Sequence, residues 1–186
     1  MKTLIINGSM SKSGDTAALI NELSGHLSGD IKIISHEDDI SPCVDCRYCW
    51  KNAGCAVRDE MHDVYKFAEE CDNVVLASPI WFSSLSGPLL NLASRIQAVF
   101  AAKHFRNESL IEKKKKGAII IVGAQPETKD APIKSAAVIM RNFNVDIADT
   151  HIIYSLNTDR LPAKDDEAAL AKCRETAEIL NRRSRM

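Results

Sequence analysis

Apolar residues recur along this chain in two rhythms. Short, nearly continuous runs stand at residues 2–6, 31–34, 73–77 and 117–122, with another inside 145–154. Between them the apolar positions fall three and four apart. Residues 16–27 place Ala17, Leu19, Ile20, Leu23 and Leu27 on one face, and residues 59–70 do the same with Met61, Val64, Tyr65 and Phe67 behind an N-capping Asp59. The first rhythm is that of strands buried on both faces, and the second is that of amphipathic helices. Further helices are expected from 87 to about 105, over 131–142, and from 164 to about 183, where acidic residues come first and basic ones last. Residues 36–58 fit neither rhythm.

Five alternations of strand and helix, with strands apolar throughout, specify a parallel sheet covered by helices on both sides. Right-handed crossovers leave few topologies, and for five strands the flavodoxin-like order 2-1-3-4-5 is the expectation: an α/β three-layer sandwich. No composition break, repeat or linker divides the chain. Residues 1–186 are therefore expected to form one domain, with a cysteine-rich insertion at about 36–58. In such sheets ligands bind beyond the carboxyl ends of the strands.

Composition narrows the function. Lys+Arg 24 against Asp+Glu 25 leaves a net charge of −1, which argues against a nucleic-acid-binding surface. No apolar run reaches membrane-spanning length. The first eight residues read as a strand and not as a secretory signal, so a soluble, cytoplasmic protein is expected. Of the 6 cysteines, Cys43, Cys46, Cys49 and Cys55 crowd into one stretch, while Cys71 and Cys173 fall in helices as core thiols. Crowding in a reducing compartment points to metal or redox chemistry and away from disulfides. The five histidines show no metal-site spacing, and Lys113 to Lys116 reads as a solvated basic turn. No nucleophile elbow or catalytic triad motif is present.

Two loops at strand carboxyl ends carry candidate chemistry. Residues 8–16 (GSMSKSGDT) offer small side chains and free backbone N–H groups at a helix N-terminus, which suits a phosphate. The alternative is an ordinary βα turn capped by Asp15. The sequence is neither a Walker A loop nor a dinucleotide fingerprint. Residues 78–87 (SPIWFSSLSG) set two aromatics beside small hydroxyl residues, which suits a planar heteroaromatic ligand, or else plugs the end of the core.

Together these loops resemble those of the flavodoxin-like NAD(P)H-dependent FMN reductases and their relatives, the iron–sulfur flavoproteins. Those families have a first loop of the form Gly-Ser-Pro-Arg-x-x-Gly-Asn-Thr and a later one like Ser-Pro-Ile-Tyr-Phe-x-x-x-Ser-Gly. The resemblance is good over the first half of the chain and includes the four clustered cysteines. It implies that Ser9, Ser11, Ser13, Gly14, Asp15 and Thr16 wrap the FMN phosphate. It implies also that Pro79, Ile80, Trp81, Phe82 and Ser83 line the ribityl chain and ring, with Gly123 closing the other side. Met10-Ser11 stands where the family has Pro-Arg, Asp15 where it has Asn, and Ser94-Arg95 where it has Asp-Arg. The first two changes remove a cation and add a carboxylate near the phosphate, predicting weaker FMN binding.

Cys43-x2-Cys46-x2-Cys49-x5-Cys55 can hold a [4Fe–4S] cluster, can hold zinc, or can remain as reduced thiols. The leading expectation is an FMN-dependent oxidoreductase that moves electrons from NAD(P)H to a quinone, a flavin or another small-molecule acceptor. The flavin carries the chemistry and no side chain acts as a catalytic residue. The first alternative is an iron–sulfur flavoprotein relaying electrons between a partner such as ferredoxin and FMN. The second is a flavodoxin-like binding or regulatory domain without activity. Resemblance also implies a homodimer or homotetramer.

Overall fold

The computed structural model describes residues 1–182. Its strands are β1 (Lys2–Asn7), β2 (Asp30–Ile34), β3 (Asn73–Trp81), β4 (Ser84–Leu85), β5 (Lys116–Gly123) and β6 (His151–Leu156). Five of them pair in parallel in the order β2-β1-β3-β5-β6, and β4 pairs antiparallel with the end of β3. The parallel order is the flavodoxin-like one; the sixth, antiparallel strand was not expected from the pattern.

Helices α1 (Asp15–His26) and α7 (Glu167–Asn181) cover one face of the sheet. There Ile5, Val75, Ile120 and Ile153 pack with Leu19, Leu23, Cys173 and Leu180. The other face carries α3 (Met61–Glu70), α4 (Gly87–Ser94), α5 (Gln97–Phe105) and α6 (Asp130–Asn142), after the single-turn α2 (Tyr48–Lys51). On that side Leu4, Ile6, Leu76 and Ile119 meet Met61, Val64, Leu89, Met140 and Phe143. Alternate residues of each strand thus enter two cores, which is why the strands read as unbroken apolar runs.

Several boundaries depart from the sequence reading. Ser78-Pro79 does not end the third strand. β1 stops pairing at Asn7 opposite Ala77, so the remainder of β3 has an open edge that tolerates proline, and β3 runs on to Trp81. The helix expected over 87 to 105 breaks at Arg95-Ile96, where Arg95 and Ile96 make tight i→i−3 bonds to Leu92 and Ala93 and the arginine side chain turns inward. The third helix begins at Met61, and Asp59 caps it from outside by accepting from the Met61 N–H at 3.2 Å. Lys115 is buried and not solvated; its ammonium donates to the Lys113 carbonyl at 2.8 Å. The closing helix ends at Asn181, and the Arg183 end proposed for it lies outside the described residues.

Candidate functional site

Three loops meet at the carboxyl edge because the register brings them there. Gly8, just past β1, donates its N–H to the Ala77 carbonyl of β3 at 2.8 Å. Its own carbonyl accepts from Ser86 Oγ at 2.7 Å. Ser86 is buried, caps α4 by accepting from the Leu89 N–H, and donates its own backbone N–H to Ser78 Oγ at 2.9 Å. A Cβ on Gly8 would lie 2.5 Å from Ser86 Oγ and 2.6 Å from Leu89 Cβ, so the two loops approach as closely as glycine permits. On the far side Gly123 ends β5 against Ile80, whose side chain would stand 3.1 Å from an added Cβ.

Within the first loop, Ser9 is buried and its Oγ accepts from the Ser11 N–H at 3.1 Å, curling the chain. Ser11 and Ser13 are exposed, and Thr16 is buried in the first turn of α1. Gly14 is the N-cap of α1 and no side chain caps that end. The first N–H groups of a twelve-residue helix are thereby left for an anion, together with the favourable end of its dipole. This fits a phosphate. Asp15 does not turn its carboxylate wholly to that space, because Oδ1 accepts from the Ala163 N–H at 2.7 Å. Lys12 is engaged as well, paired with Glu37 at 2.7 Å on the surface.

The second loop is a two-residue hairpin turn. Ile80 pairs with Leu85 and Trp81 with Ser84, leaving Phe82 and Ser83 as the central residues, with φ of 51° and 56°. Both positive values match a type I′ turn, which normally takes Asn-Gly. Trp81 is half exposed and Phe82 fully exposed, so neither plugs the core. The turn holds two aromatic rings out beside the uncapped helix end in a conformation that non-glycine residues rarely adopt. Pro79 and Ile80, half-buried, form its base. The result is an open shelf suited to a flat ligand with an anionic tail.

The cysteine segment lies at the other end of α4. Cys43, Cys46, Cys49 and Cys55 line one concavity together with Trp50, Arg47 and Arg95. Cys43 and Cys46 are exposed, Cys49 and Cys55 are half-buried, and all are free thiols. Burial, and then the nearness of Cys55, Cys43 and Cys46, raises the Cys49 thiol above its usual range. Among the described residues no three His, Cys, Asp or Glu side chains stand close enough to hold one metal ion. That disfavours a preformed zinc site, in which every thiolate must reach the same ion. A four-iron cluster spreads its thiolates over four irons, and the shared concavity fits that donor set.

Sequence reasoning missed the residue that organises this segment. Arg95 has a fully buried side chain, forked onto Asp59 at 2.5 and 3.0 Å. It also donates to the Ser41 carbonyl at 2.8 Å, the Val57 carbonyl at 3.4 Å and Cys55 Sγ at 3.5 Å. Burial by itself would raise the Asp59 carboxyl, but the Arg95 hydrogen bond and the Ser41 and Met61 N–H groups more than offset it and hold it below its usual range. Tyr65 fastens the same corner by donating to the Arg95 carbonyl at 2.6 Å. The only sequence signal was Arg95 at the end of an apolar helix, where the resembled families have Asp-Arg. Outside the cysteines, Arg106 donates to the Cys49 carbonyl, and Arg47 lies over Trp50, which stacks on Phe105 at 4.3 Å.

A parallel five-strand order with an anion-ready helix end and an aromatic turn defines a flavodoxin-like protein with a shelf at its carboxyl edge. The sequence model described as NADPH-dependent FMN reductase matches residues 1–145, and the chain belongs to that family. It is 28% identical over 128 residues to an iron–sulfur flavoprotein of Methanocaldococcus jannaschii, covering 67% of this chain and 63% of that one. It is 33% identical over 98 residues to an iron–sulfur flavoprotein of Archaeoglobus fulgidus, covering 51% and 48%. The chain thus spans less than two thirds of the length of these curated relatives. Among solved structures, an NAD(P)H:quinone oxidoreductase from Methanothermobacter marburgensis superposes with a TM-score of 0.75 at 12% identity, covering 100% of this chain and 98% of that one. An FMN-dependent NADH-azoreductase from Bacillus anthracis, solved with FMN, gives 0.67 at 17% identity, covering 98% and 100%. At such identities these likenesses bear on the fold alone.

Proposed function

We propose that this protein is an FMN-dependent oxidoreductase taking electrons from NAD(P)H and passing them to a quinone, a flavin or another small acceptor. The observation that carries the reading is the uncapped N-terminus of α1 beside the exposed Trp81-Phe82 turn. The α1 N–H groups with Ser9, Ser11, Ser13 and Gly14 hold the phosphate, and Thr16 packs beneath them. Pro79, Ile80 and Ser83 border the ribityl chain, Trp81 and Phe82 offer ring faces, and Gly123, packed against Ile80, closes the β5 side. Bound there, FMN supplies hydride acceptance and onward electron transfer. The side chains orient it and screen one face from water, and none needs to donate or accept a proton. Asp15, engaged with Ala163, acts as a negative neighbour of the phosphate and not as a ligand.

The reading treats residues 1–186 as one domain with a cysteine-rich insertion at about 36–58, working in the cytoplasm as a homodimer or homotetramer. FMN added to protein purified without oxygen should give bound-flavin absorption, and NAD(P)H should then bleach it, with ferricyanide or a quinone restoring it. A protein that takes up no FMN sinks the reading and leaves a flavodoxin-like binding or regulatory domain.

A second reading is favoured by one observation: all four clustered cysteines line the same concavity, beside a buried guanidinium. In it Cys43, Cys46, Cys49 and Cys55 hold a [4Fe–4S] cluster that exchanges single electrons with the flavin and with a partner such as ferredoxin. Helix α4, eight residues or roughly 12 Å long at the usual helical rise, joins the shelf at Ser86 to the cysteine segment at Ser94, whose Oγ accepts from the Cys43 N–H. Iron and acid-labile sulfide near four each per chain in anaerobic protein are expected; their absence removes this reading and leaves the first intact.

A further inference from the structure

One side chain ties both ends of the cysteine segment, and one of its sulfurs, to the helical layer. The Arg95 guanidinium reaches Ser41 before the first cysteine, Val57 after the last, the Asp59 carboxylate, and the sulfur of Cys55. A buried ion pair alone needs Asp59 and Arg95 and nothing more. Here the guanidinium also lines the concavity shared by the four cysteines. Its Nε–H is buried and has no hydrogen-bond partner among the described residues. A buried, unpaired donor on a cation is expensive unless something accepts from it, and a sulfur-rich anionic group in that concavity is such an acceptor.

We infer that Arg95 is a positioning residue for electron transfer at the cysteine site: it fixes Cys55 through its Nη2–H and stabilises the reduced state of the thiolate-held group with buried N–H donors, its charge being balanced by Asp59. The inference rests on the second reading above. One-electron reduction at this site makes and breaks no bond; it adds one negative charge to a site already carrying four thiolates. Arg95 answers that charge through its N–H donors, since hydrogen bonds to sulfur are among the determinants of such potentials. Arg106 and Arg47 touch the segment through the Cys49 carbonyl and the Trp50 ring, so among these three arginines Arg95 alone hydrogen-bonds a cysteine sulfur. The site is therefore asymmetric. Cys55 is the inward, hydrogen-bonded ligand, and Cys43 and Cys46 face solvent.

The test is a redox titration of anaerobically prepared protein followed by electron paramagnetic resonance. Two variants are compared with the parent. Arg95→Lys keeps the charge beside Asp59 but lacks the fork that also reaches Cys55. The double change Asp59→Asn with Arg95→Gln removes both charges together and leaves neither uncompensated. Circular dichroism and a cooperative melt report folding, and iron and sulfide analysis reports cluster content. The double variant should lower the ratio of reduced to oxidised cluster at a fixed potential by tenfold or more, which is 59 mV for a one-electron couple. Arg95→Lys should fall between it and the parent. Should the double variant not fold, Arg95→Lys decides the matter. A ratio within twofold of the parent in every folded variant overturns the inference while leaving the cluster reading standing. Parent protein without iron and sulfide overturns both.

Discussion

At the shelf, Gly8 and Ser86 meet because β1 and β3 are in register, and the loops inherit their geometry from the sheet. In the cysteine segment, Ser41, Val57 and Cys55 meet because one guanidinium reaches all three. The first region is positioned by many shared backbone bonds, any one of which contributes little. The second leans chiefly on one buried ion pair, whose loss strands a charge, with the Cys43 N–H on Ser94 and Arg106 on the Cys49 carbonyl as lesser ties. The two candidate cofactor regions are thus held by different physics at opposite ends of α4, and they should fail separately.

The largest effect is expected from Arg95→Met. It leaves Asp59 buried without its partner, which costs about 3–5 kcal/mol. Urea unfolding should register the loss. Hydrogen exchange should show residues 41–60 opening while the amides of β1 and β3 stay protected, and uniform loss of protection would refute separate failure. Gly8→Ala is the corresponding insult to the shelf. Its methyl group would collide with Ser86 Oγ and Leu89 Cβ, costing about 1–3 kcal/mol by overpacking, and FMN affinity should drop at least tenfold in a flavin-fluorescence titration.

Acid should also distinguish the regions. The Asp59 carboxyl is held below the usual carboxylate range, so its pairing stabilises the fold at pH values above about 4. That contribution is lost as pH falls below this, when the carboxyl protonates. Asp59→Asn should flatten the acid limb of a stability-versus-pH curve measured by urea unfolding; an unchanged limb would remove the pair from the account. A smaller effect concerns Asp15. With one oxygen occupied by Ala163, Asp15→Asn should tighten FMN binding by less than tenfold, about 1 kcal/mol at most, as expected for one charge near a helix N-terminus. Smallest of all, Ser83→Gly should stabilise the protein by up to about 1 kcal/mol by relieving a left-handed residue, read as a rise in melting temperature.

The strand runs and helical faces were legible because each is local: a central strand buries residues on both faces and a helix buries one stripe, and the pattern repeats. The parallel order followed from connection rules. The Arg95-Ile96 break was hidden because apolar spacing continues across it, and what bends the chain is a partner 36 residues earlier. Pro79 misled because its tolerance depends on β1 ending opposite Ala77, a fact of register. Asp15 could be placed on the first helix, but not against Ala163, 148 residues away. The buried Lys115 was unreadable for the same reason: four consecutive lysines look alike until strand pairing and packing sort them.

The chain has 2 tryptophans, and they fall one to each region: Trp81 on the hairpin turn, half exposed, and Trp50 beside Cys49, stacked on Phe105. The protein therefore carries its own optical reporters. With Trp50→Phe, the remaining indole emission should dim as the shelf fills, since a flavin quenches a neighbouring fluorophore. With Trp81→Phe, emission should follow the thiol segment alone. Stopped-flow traces of the two single-tryptophan proteins would then give the order in which the two ends of α4 respond to a reductant, from light the polypeptide itself emits.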